Sequence, residues 1–258
     1  MRILVRTSKW AVWARRFGAL ALPLAILPVL LHRAHLITSD NFLAVEAAAM
    51  GLAAVAVAMA LIAFVRLWYT GDRGWGRAVM AFLFGVLCLT PAAYFSWLAS
   101  TIPASSDVST DFSDSPPLVN FVESRFIGPE ERARIEAAYP NARSRTYPIE
   151  APQMFEVVGR LVEAQGWDVR ATRAPIGPLG TGYYNASVTT LLGFSQEVAL
   201  RVVGSAEGAT VDMRSASLST FPDFGENGQR VEAFLLELDN EVTLMLRNAP
   251  AQPAVAED

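Results

Sequence analysis

Two long apolar segments in the first hundred residues constrain this chain more than any other feature. Residues 42–65 are apolar throughout except for Glu46. Residues 78–98 are predominantly apolar and end in an aromatic cluster of Tyr94, Phe95 and Trp97, which suits a membrane–water interface. A bilayer core of about 30 Å needs about twenty apolar residues in a helix. Both segments therefore predict membrane-spanning helices.

A shorter apolar run precedes them. Residues 17–31 are uniformly apolar, but Pro23 and Pro28 interrupt them. The core of a signal peptide looks similar, yet residues 31–35 offer no small-residue cleavage site. The run therefore predicts an uncleaved, short and kinked first span at about 17–36, followed by the spans at 42–65 and 78–98.

The charge distribution predicts the orientation of these spans. Residues 1–103 carry a net charge of +6, whereas residues 104–258 carry −10. Arginines gather at the N-terminus and in the loop between the second and third spans, whereas the first loop holds only Arg33. By the positive-inside rule, the N-terminus is predicted to be cytoplasmic and the acidic C-terminal half to be periplasmic or otherwise extracytoplasmic. An acidic domain also lacks the basic surface that nucleic-acid binding requires.

Four residues of the membrane half have side chains that can ionise, bind a metal or form a disulfide. His32 and His35 either share a metal or form a polar helix end at the interface, and the second interpretation is favoured. Glu46 either reaches the interface or marks a partner or proton path. Cys88 is the only cysteine, so an intramolecular disulfide and a cysteine metal cluster are both excluded. The sequence predicts no cofactor and no metal site.

The C-terminal half predicts an α+β domain. Residues 1–103 form the membrane anchor, 104–128 a linker, 129–247 the domain and 248–258 a disordered tail. Asp107, Asp111 and Asp114 do not match a calcium loop, so they are interpreted as turn formers in an extended connector. Hydrophobic periodicity predicts an antiparallel sheet of about five strands covered by two helices. The predicted strands are 143–149, 167–174, 183–190, 197–203 and 209–217, and the predicted helices are 130–139, 152–165 and 228–247, the last two packing on the sheet.

The last two strands bring charged residues together. If they form a hairpin, Arg201 faces Asp212, with Glu197 and Arg214 on the same face. The two arginines could hold an anionic ligand, or the four charges could form a cross-strand ion-pair ladder. The ladder is favoured because the charges already balance one another.

A polar segment follows the last strand. Ser215 lies in that strand, and Asn227 is predicted to be the N-cap of the closing helix. Arg230 opposes the helix dipole in the first turn, so a carboxylate partner is expected from Asp223 or Glu226. We predict that Arg214 and Arg230 tie the last strand, the Asp223 turn and the closing helix together, with partners drawn from Glu197, Asp212, Asp223 and Glu226.

The C-terminal half contains a series of short motifs: 107–111 (DVSTD), 116–117 (PP), 139–140 (YP), 166–167 (GW), 193–194 (GF), 197–201, 211–217 (VDMRSAS), 223–225 (DFG), Asn227 and Arg230. With these motifs the domain resembles a bacterial family known as domain-of-unknown-function family 1499. The resemblance covers about residues 105–245 and is most specific between Asp212 and Arg230. Members often carry hydrophobic spans ahead of the domain. The chain departs from the family's usual residues at Gln196 and Leu218, where an acidic and a basic residue are more usual. The resemblance implies a domain boundary and no activity. Together with the charge distribution, the resemblance implies a bacterial inner-membrane protein with a periplasmic domain.

Two functional hypotheses follow. The first is a non-catalytic module that binds an envelope protein, a lipid or a small anionic ligand. The second is a hydrolase-like enzyme that uses Glu197, Asp212 or Ser215. The domain contains no histidine and no cysteine, and it has no nucleophile elbow, so the binding module is favoured.

Overall fold

The computed structural model of the chain describes residues 6–102, 106–120, 127–218 and 223–248. It divides into two compact units. The first comprises Met1–Thr101 and Thr190–Phe194, and the second comprises Ile102–Thr189 and Ser195–Asp258. The predicted disordered tail lies outside the described residues except for Asn248.

Three long helices build the first unit: α1 (Lys9–Arg33), α2 (Ser39–Thr70) and α3 (Trp75–Thr101). Each is long and apolar enough to cross a membrane, as predicted from the apolar runs. α2 and α3 extend beyond both ends of their predicted spans, whereas α1 begins eight residues before its predicted span and ends three residues before that span's end. α1 continues through Pro23 and Pro28 rather than ending at them.

Small residues bring these helices close together. Gly85 of α3 lies so near α2 that an added Cβ would come within 2.9 Å of the Ala53 carbonyl oxygen. An alanine stripe faces the neighbours along α2, with Ala49, Ala53, Ala56, Ala60 and Ala63 fully buried. In a lipid environment helices associate through such close packing, because burying apolar surface gains little there.

The second unit is a six-stranded antiparallel sheet with three helices, so the predicted α+β class is confirmed. Neighbouring strands in the sheet follow the order β1-β6-β5-β4-β3, and β2 also pairs with β6. The two short strands β1 and β2 pair with successive parts of β6. The strands are β1 (Asp107–Ser109), β2 (Arg145–Tyr147), β3 (Asp168–Arg173), β4 (Thr181–Thr189), β5 (Ser195–Ser205) and β6 (Gly208–Ser217), and the helices are α4 (Pro129–Ala138), α5 (Ala151–Ala164) and α6 (Glu226–Asn248).

The structure corrects the interpretation of the linker. Residues 104–128 were expected to form an extended connector, but Asp107–Ser109 is a strand that pairs with Arg214–Ala216. Only the strand's three residues take part in the sheet, which is too short a run for hydrophobic periodicity to reveal. The sheet consequently has six strands rather than about five.

The hydrophobic core lies between one face of the sheet and helices α5 and α6. β5 contributes Val198, Leu200 and Val202 to it, and β6 contributes Val211 and Met213. Successive side chains of a strand point to opposite faces. The residues between these apolar ones, which include Arg201 on β5 and Asp212 on β6, therefore lie on the face turned away from α5 and α6.

Candidate functional site

The four charged residues of the predicted cluster meet on this second face of the sheet. The register pairs Arg201 with Asp212, as the sequence predicts, and places Ala199 opposite Arg214. Glu197 falls on the same face, two positions before Ala199. We call Glu197, Arg201, Asp212 and Arg214 the charged face, and residues 106–120, which contact it, the strap.

Arg201 is bonded both across the hairpin and to the strap. Its Nε and Nη2 donate to Asp212 Oδ2 at 3.1 and 2.8 Å. Its Nη1 donates to Asp114 of the strap at 2.6 Å, and Asp111 lies 3.7 Å away. Arg201 and Asp212 are both buried. The guanidinium therefore bridges the sheet and the strap.

Arg214 makes a bidentate pair with the strap. Its Nε and Nη2 donate to the two carboxylate oxygens of Asp107 at 2.9 and 2.6 Å. Its Nη1 also donates to the Pro116 carbonyl at 3.4 Å. The ion-pair partner was expected to be Glu197, Asp212, Asp223 or Glu226, and that expectation is wrong. It fails because Asp107 is far away in sequence and was assigned to a connector.

Glu197 accepts hydrogen bonds from backbone rather than from an arginine. The N–H groups of Val119 and Asn120 donate to its two oxygens at 2.5 and 2.9 Å. Glu197 is only 1% exposed. Backbone donors on both oxygens satisfy a buried carboxylate without a counter-ion.

Further bonds attach the strap to the sheet. The Thr110 and Ser144 hydroxyls donate to Asp212 Oδ1. The Asn185 amide donates to the Pro117 carbonyl at 2.8 Å, and the Thr110 N–H donates to the Met213 carbonyl at 2.9 Å. The side chains of the charged face thus form a polar layer between the sheet and the strap, which covers them.

The remaining predicted residues lie on the opposite face of the sheet. Ser215 and Ser217 alternate with Arg214 and therefore point towards α6, where they meet the start of that helix. We call Gln196, Ser215, Ser217, Asp223, Glu226, Asn227 and Arg230 the helix-start cluster. The single polar cluster expected from sequence is therefore two clusters, one on each face.

Asp223 rather than Asn227 caps α6. The Asp223 carboxylate accepts the Gly225 N–H at 3.1 Å and the Asn227 N–H at 3.0 Å. The chain turns sharply here, with positive φ at Phe224 and Gly225. The helix begins at Glu226, so Asn227 lies inside its first turn and the predicted N-cap is wrong.

Asn227 instead joins the helix to the last strand. Its Oδ1 accepts the Ser215 hydroxyl at 2.7 Å, and its Nδ2 donates to Ser217 Oγ at 3.0 Å. Arg230 Nη1 donates to Ser215 Oγ and Asn227 Oδ1 at 3.0 and 3.1 Å. Arg230 therefore links helix to strand through a hydroxyl and an amide. The expected carboxylate partners, Glu226 and Asp223, interact with its guanidinium through their charges.

Burial shifts the titration of this cluster. It raises the pKa of the Asp223 carboxyl above its ordinary value, although hydrogen bonds from Asn227 and Gly225 oppose the shift. It also raises the pKa of Glu226 and lowers the pKa of Arg230.

Gln196 is fully buried and donates to Ser217 Oγ and Glu226 Oε2, at 3.3 and 3.4 Å.

The shift at Asp223 predicts a pH dependence of stability. A carboxyl whose pKa is raised on folding stabilises the fold most below its unfolded value, 3.8, and loses that contribution as pH rises through the folded-state pKa. We therefore expect the stability difference between wild type and Asp223→Asn to shrink as pH increases through this window. Denaturant unfolding between about pH 3 and 7 measures it, with Asp168→Asn on exposed β3 as the control. A difference that grows with pH would contradict this assignment.

Sequence reasoning missed the strap residues because it could not place them. Asp107 and Asp114 contact arginines about a hundred residues away in sequence. The available signal was the group of three strap carboxylates, Asp107, Asp111 and Asp114, which could supply partners for the two buried arginines of the charged face. From the sequence, Gln196 stands out only as a departure from the family pattern, and its place in the helix-start cluster is not predicted.

The histidines and acidic residues within the described ranges are also candidate metal ligands. These ranges contain no group of three or more histidine, cysteine or acidic residues able to hold a metal ion. His32 is buried, contacts the Ser39 hydroxyl at 3.1 Å and stacks on Phe42 with ring centroids 4.7 Å apart. These contacts agree with a structural role for this histidine.

An open groove lies at the end of the sheet where β5 and β6 join. It has a volume of about 370 Å³. The loop between β3 and β4 forms one wall and presents Ile176 and Leu179, which are 87% and 69% exposed. The other walls are residues 148–150 and the turn 205–208. Leu179 lines the groove, and Ile176 lies in the same loop.

Comparison with known proteins gives one match. A family described as "Protein of unknown function (DUF1499)" matches residues 107–238. The match begins at Asp107, so it includes the strap along with the sheet. No curated protein and no solved structure matches the chain.

Proposed function

The chain belongs to the DUF1499 family, and we propose that it is a membrane-anchored, non-catalytic binding module of the bacterial envelope. In this proposal the three N-terminal helices span the inner membrane with the N-terminus in the cytoplasm. The α+β domain then lies in the periplasm, where it contacts another envelope component. The excess of positive charge in residues 1–103 and of negative charge in residues 104–258 supports this orientation.

The proposal rests on one observation: the carboxylates of the charged face already accept hydrogen bonds from within the domain. A paired-carboxylate hydrolase needs two acids beside an open pocket. Here the Glu197 oxygens accept strap N–H groups, and Asp212 accepts from Arg201, Thr110 and Ser144. Both acids are buried. Their geometry supports a structural role and favours the binding module over the hydrolase.

The exposed apolar loop is the surface that we assign to partner binding. Ile176 and Leu179 project from the same end of the domain as the groove, and burying each on a partner would stabilise a complex by about 1.5–3 kcal/mol. Their exposure means that substituting them leaves the core intact. Binding and folding can therefore be separated by mutation at this loop.

The test is recovery of an envelope partner with the full-length protein from native membranes. We expect the double variant Ile176→Asp/Leu179→Asp to lose a partner that wild type retains, while its thermal unfolding stays unchanged. Leu236→Asp, which alters an exposed leucine on α6, is the matched control and should retain the partner. Equal recovery by all three proteins would refute the assignment of this surface.

A further inference from the structure

A second site, unrelated to the proposed binding surface, lies in the helical unit. Arg15 and Arg16 of α1 and Arg77 of α3 line one pocket together with Val12 and Ala19. Its volume is about 250 Å³, slightly below the range of about 300–1,000 Å³ typical of pockets for small organic ligands. The pocket is thus suited to a compact anionic group with apolar atoms attached.

The charge at this end of the helices is unbalanced. Residues 1–39 contain no aspartate or glutamate, and residues 66–77 contain only Asp72. Within the described part of the chain, none of the three pocket arginines belongs to an ion pair. Three guanidiniums converging without a carboxylate repel one another, and an anion between them would relieve that repulsion.

The pocket also lies near one end of the apolar helices, where a bilayer spanned by them has its headgroups. Arg15 is six residues from the start of α1 and Arg77 two from the start of α3, or about 9 and 3 Å along the helix axes. The uniformly apolar part of α1 begins directly after Arg16. The Arg16 guanidinium lies 4.9 Å from the centre of the Trp13 ring. Exposed Trp13, Trp68, Tyr69 and Trp75 surround this end of the bundle, as in an interfacial aromatic belt.

We propose that Arg15, Arg16 and Arg77 bind the phosphate headgroup of an anionic phospholipid. The guanidiniums donate to the phosphate oxygens, for which their planar fork is well suited. Val12 and Ala19 contact the glycerol and the first acyl carbons. Basic pockets between membrane helices bind anionic headgroups in this way.

The test uses the full-length protein in phosphatidylcholine nanodiscs with increasing fractions of phosphatidylglycerol, and native mass spectrometry counts the bound lipid. Wild type should bind phosphatidylglycerol in preference to phosphatidylcholine. Each arginine removed should weaken that binding about fivefold, so Arg15→Gln/Arg16→Gln/Arg77→Gln should weaken it roughly a hundredfold. Arg66→Gln, which removes a charge at the same end of the bundle but outside the pocket, should bind like wild type.

Two results would overturn the proposal. One is an unchanged preference in the triple variant, and the other is an equal loss in Arg66→Gln, which would indicate diffuse attraction. If the triple variant does not fold, the single variants Arg77→Gln and Arg77→Lys replace it. The fivefold loss of phosphatidylglycerol binding is then expected only for Arg77→Gln. Inorganic phosphate distinguishes the source of the ligand. It should displace the lipid only in large excess, and equal potency would identify a soluble phosphate site instead.

Discussion

Leu238→Asp unfolds the soluble domain. Leu238 is 0% exposed and lies in the core cluster that α6 forms with the sheet. Truncating a buried leucine alone costs about 2–5 kcal/mol, and an unpaired carboxylate in the same place adds several more. Domains of this size are stable by only about 5–15 kcal/mol. The variant should therefore be unfolded at room temperature.

The measurement is a far-ultraviolet circular dichroism melt of residues 104–258. The buried core residues of this fragment all lie between Val108 and Val242. Leu236→Asp is the control, because Leu236 is 63% exposed on the same helix. It should change the free energy of unfolding by no more than about 0.5 kcal/mol. A cooperative melt for Leu238→Asp at the wild-type temperature would mean that α6 does not dock as described.

Arg214→Ala destabilises the domain by about 3–5 kcal/mol, the usual cost of removing one partner from a buried ion pair. The substitution leaves the buried Asp107 carboxylate without its guanidinium and detaches β1 from its side-chain anchor. A loss of this size should lower the melting temperature by roughly 10 °C or more. Lysine should rescue poorly, because it cannot make the bidentate contact.

The control for this prediction is Arg170→Ala. Arg170 and Asp168 form an ion pair at 2.7 Å on the edge strand β3, where both side chains are more than half exposed. Exposed pairs contribute about 0–1 kcal/mol. A ligand-binding role for Arg214 would give the opposite result, with the melt of Arg214→Ala matching that of Arg170→Ala.

Local patterns were sufficient to predict most of the fold. α5 (Ala151–Ala164) was predicted within one residue at each end, because Pro152 marks its start and its apolar face repeats with helical periodicity. The β5–β6 hairpin was predicted in the correct register, since alternation and a glycine-containing turn fix which residues face one another. Both signals lie within about twenty residues of sequence.

The candidate site could be predicted only in part, because its partners are distant in sequence. Asp107 meets Arg214, and Glu197 meets the N–H groups of Val119 and Asn120, through contacts that no local period encodes. Strand alternation does reveal that Ser215 and Arg214 point to opposite faces. Their separation into two clusters, one beneath the strap and one at the start of α6, becomes evident only once the helices are placed on one face.

The Asp107–Arg214 pair provides the most direct test of the central claim, that the charged face is a structural layer closed by the strap. A double-mutant cycle compares Asp107→Ala, Arg214→Ala and the double variant in the free energy of unfolding. We predict a coupling of about 2–3 kcal/mol, so that the double variant is scarcely less stable than Arg214→Ala alone. If the losses in free energy of unfolding of the two single variants add up to that of the double variant, to within about 0.5 kcal/mol, strap and sheet are not joined through this pair. That result would contradict the account.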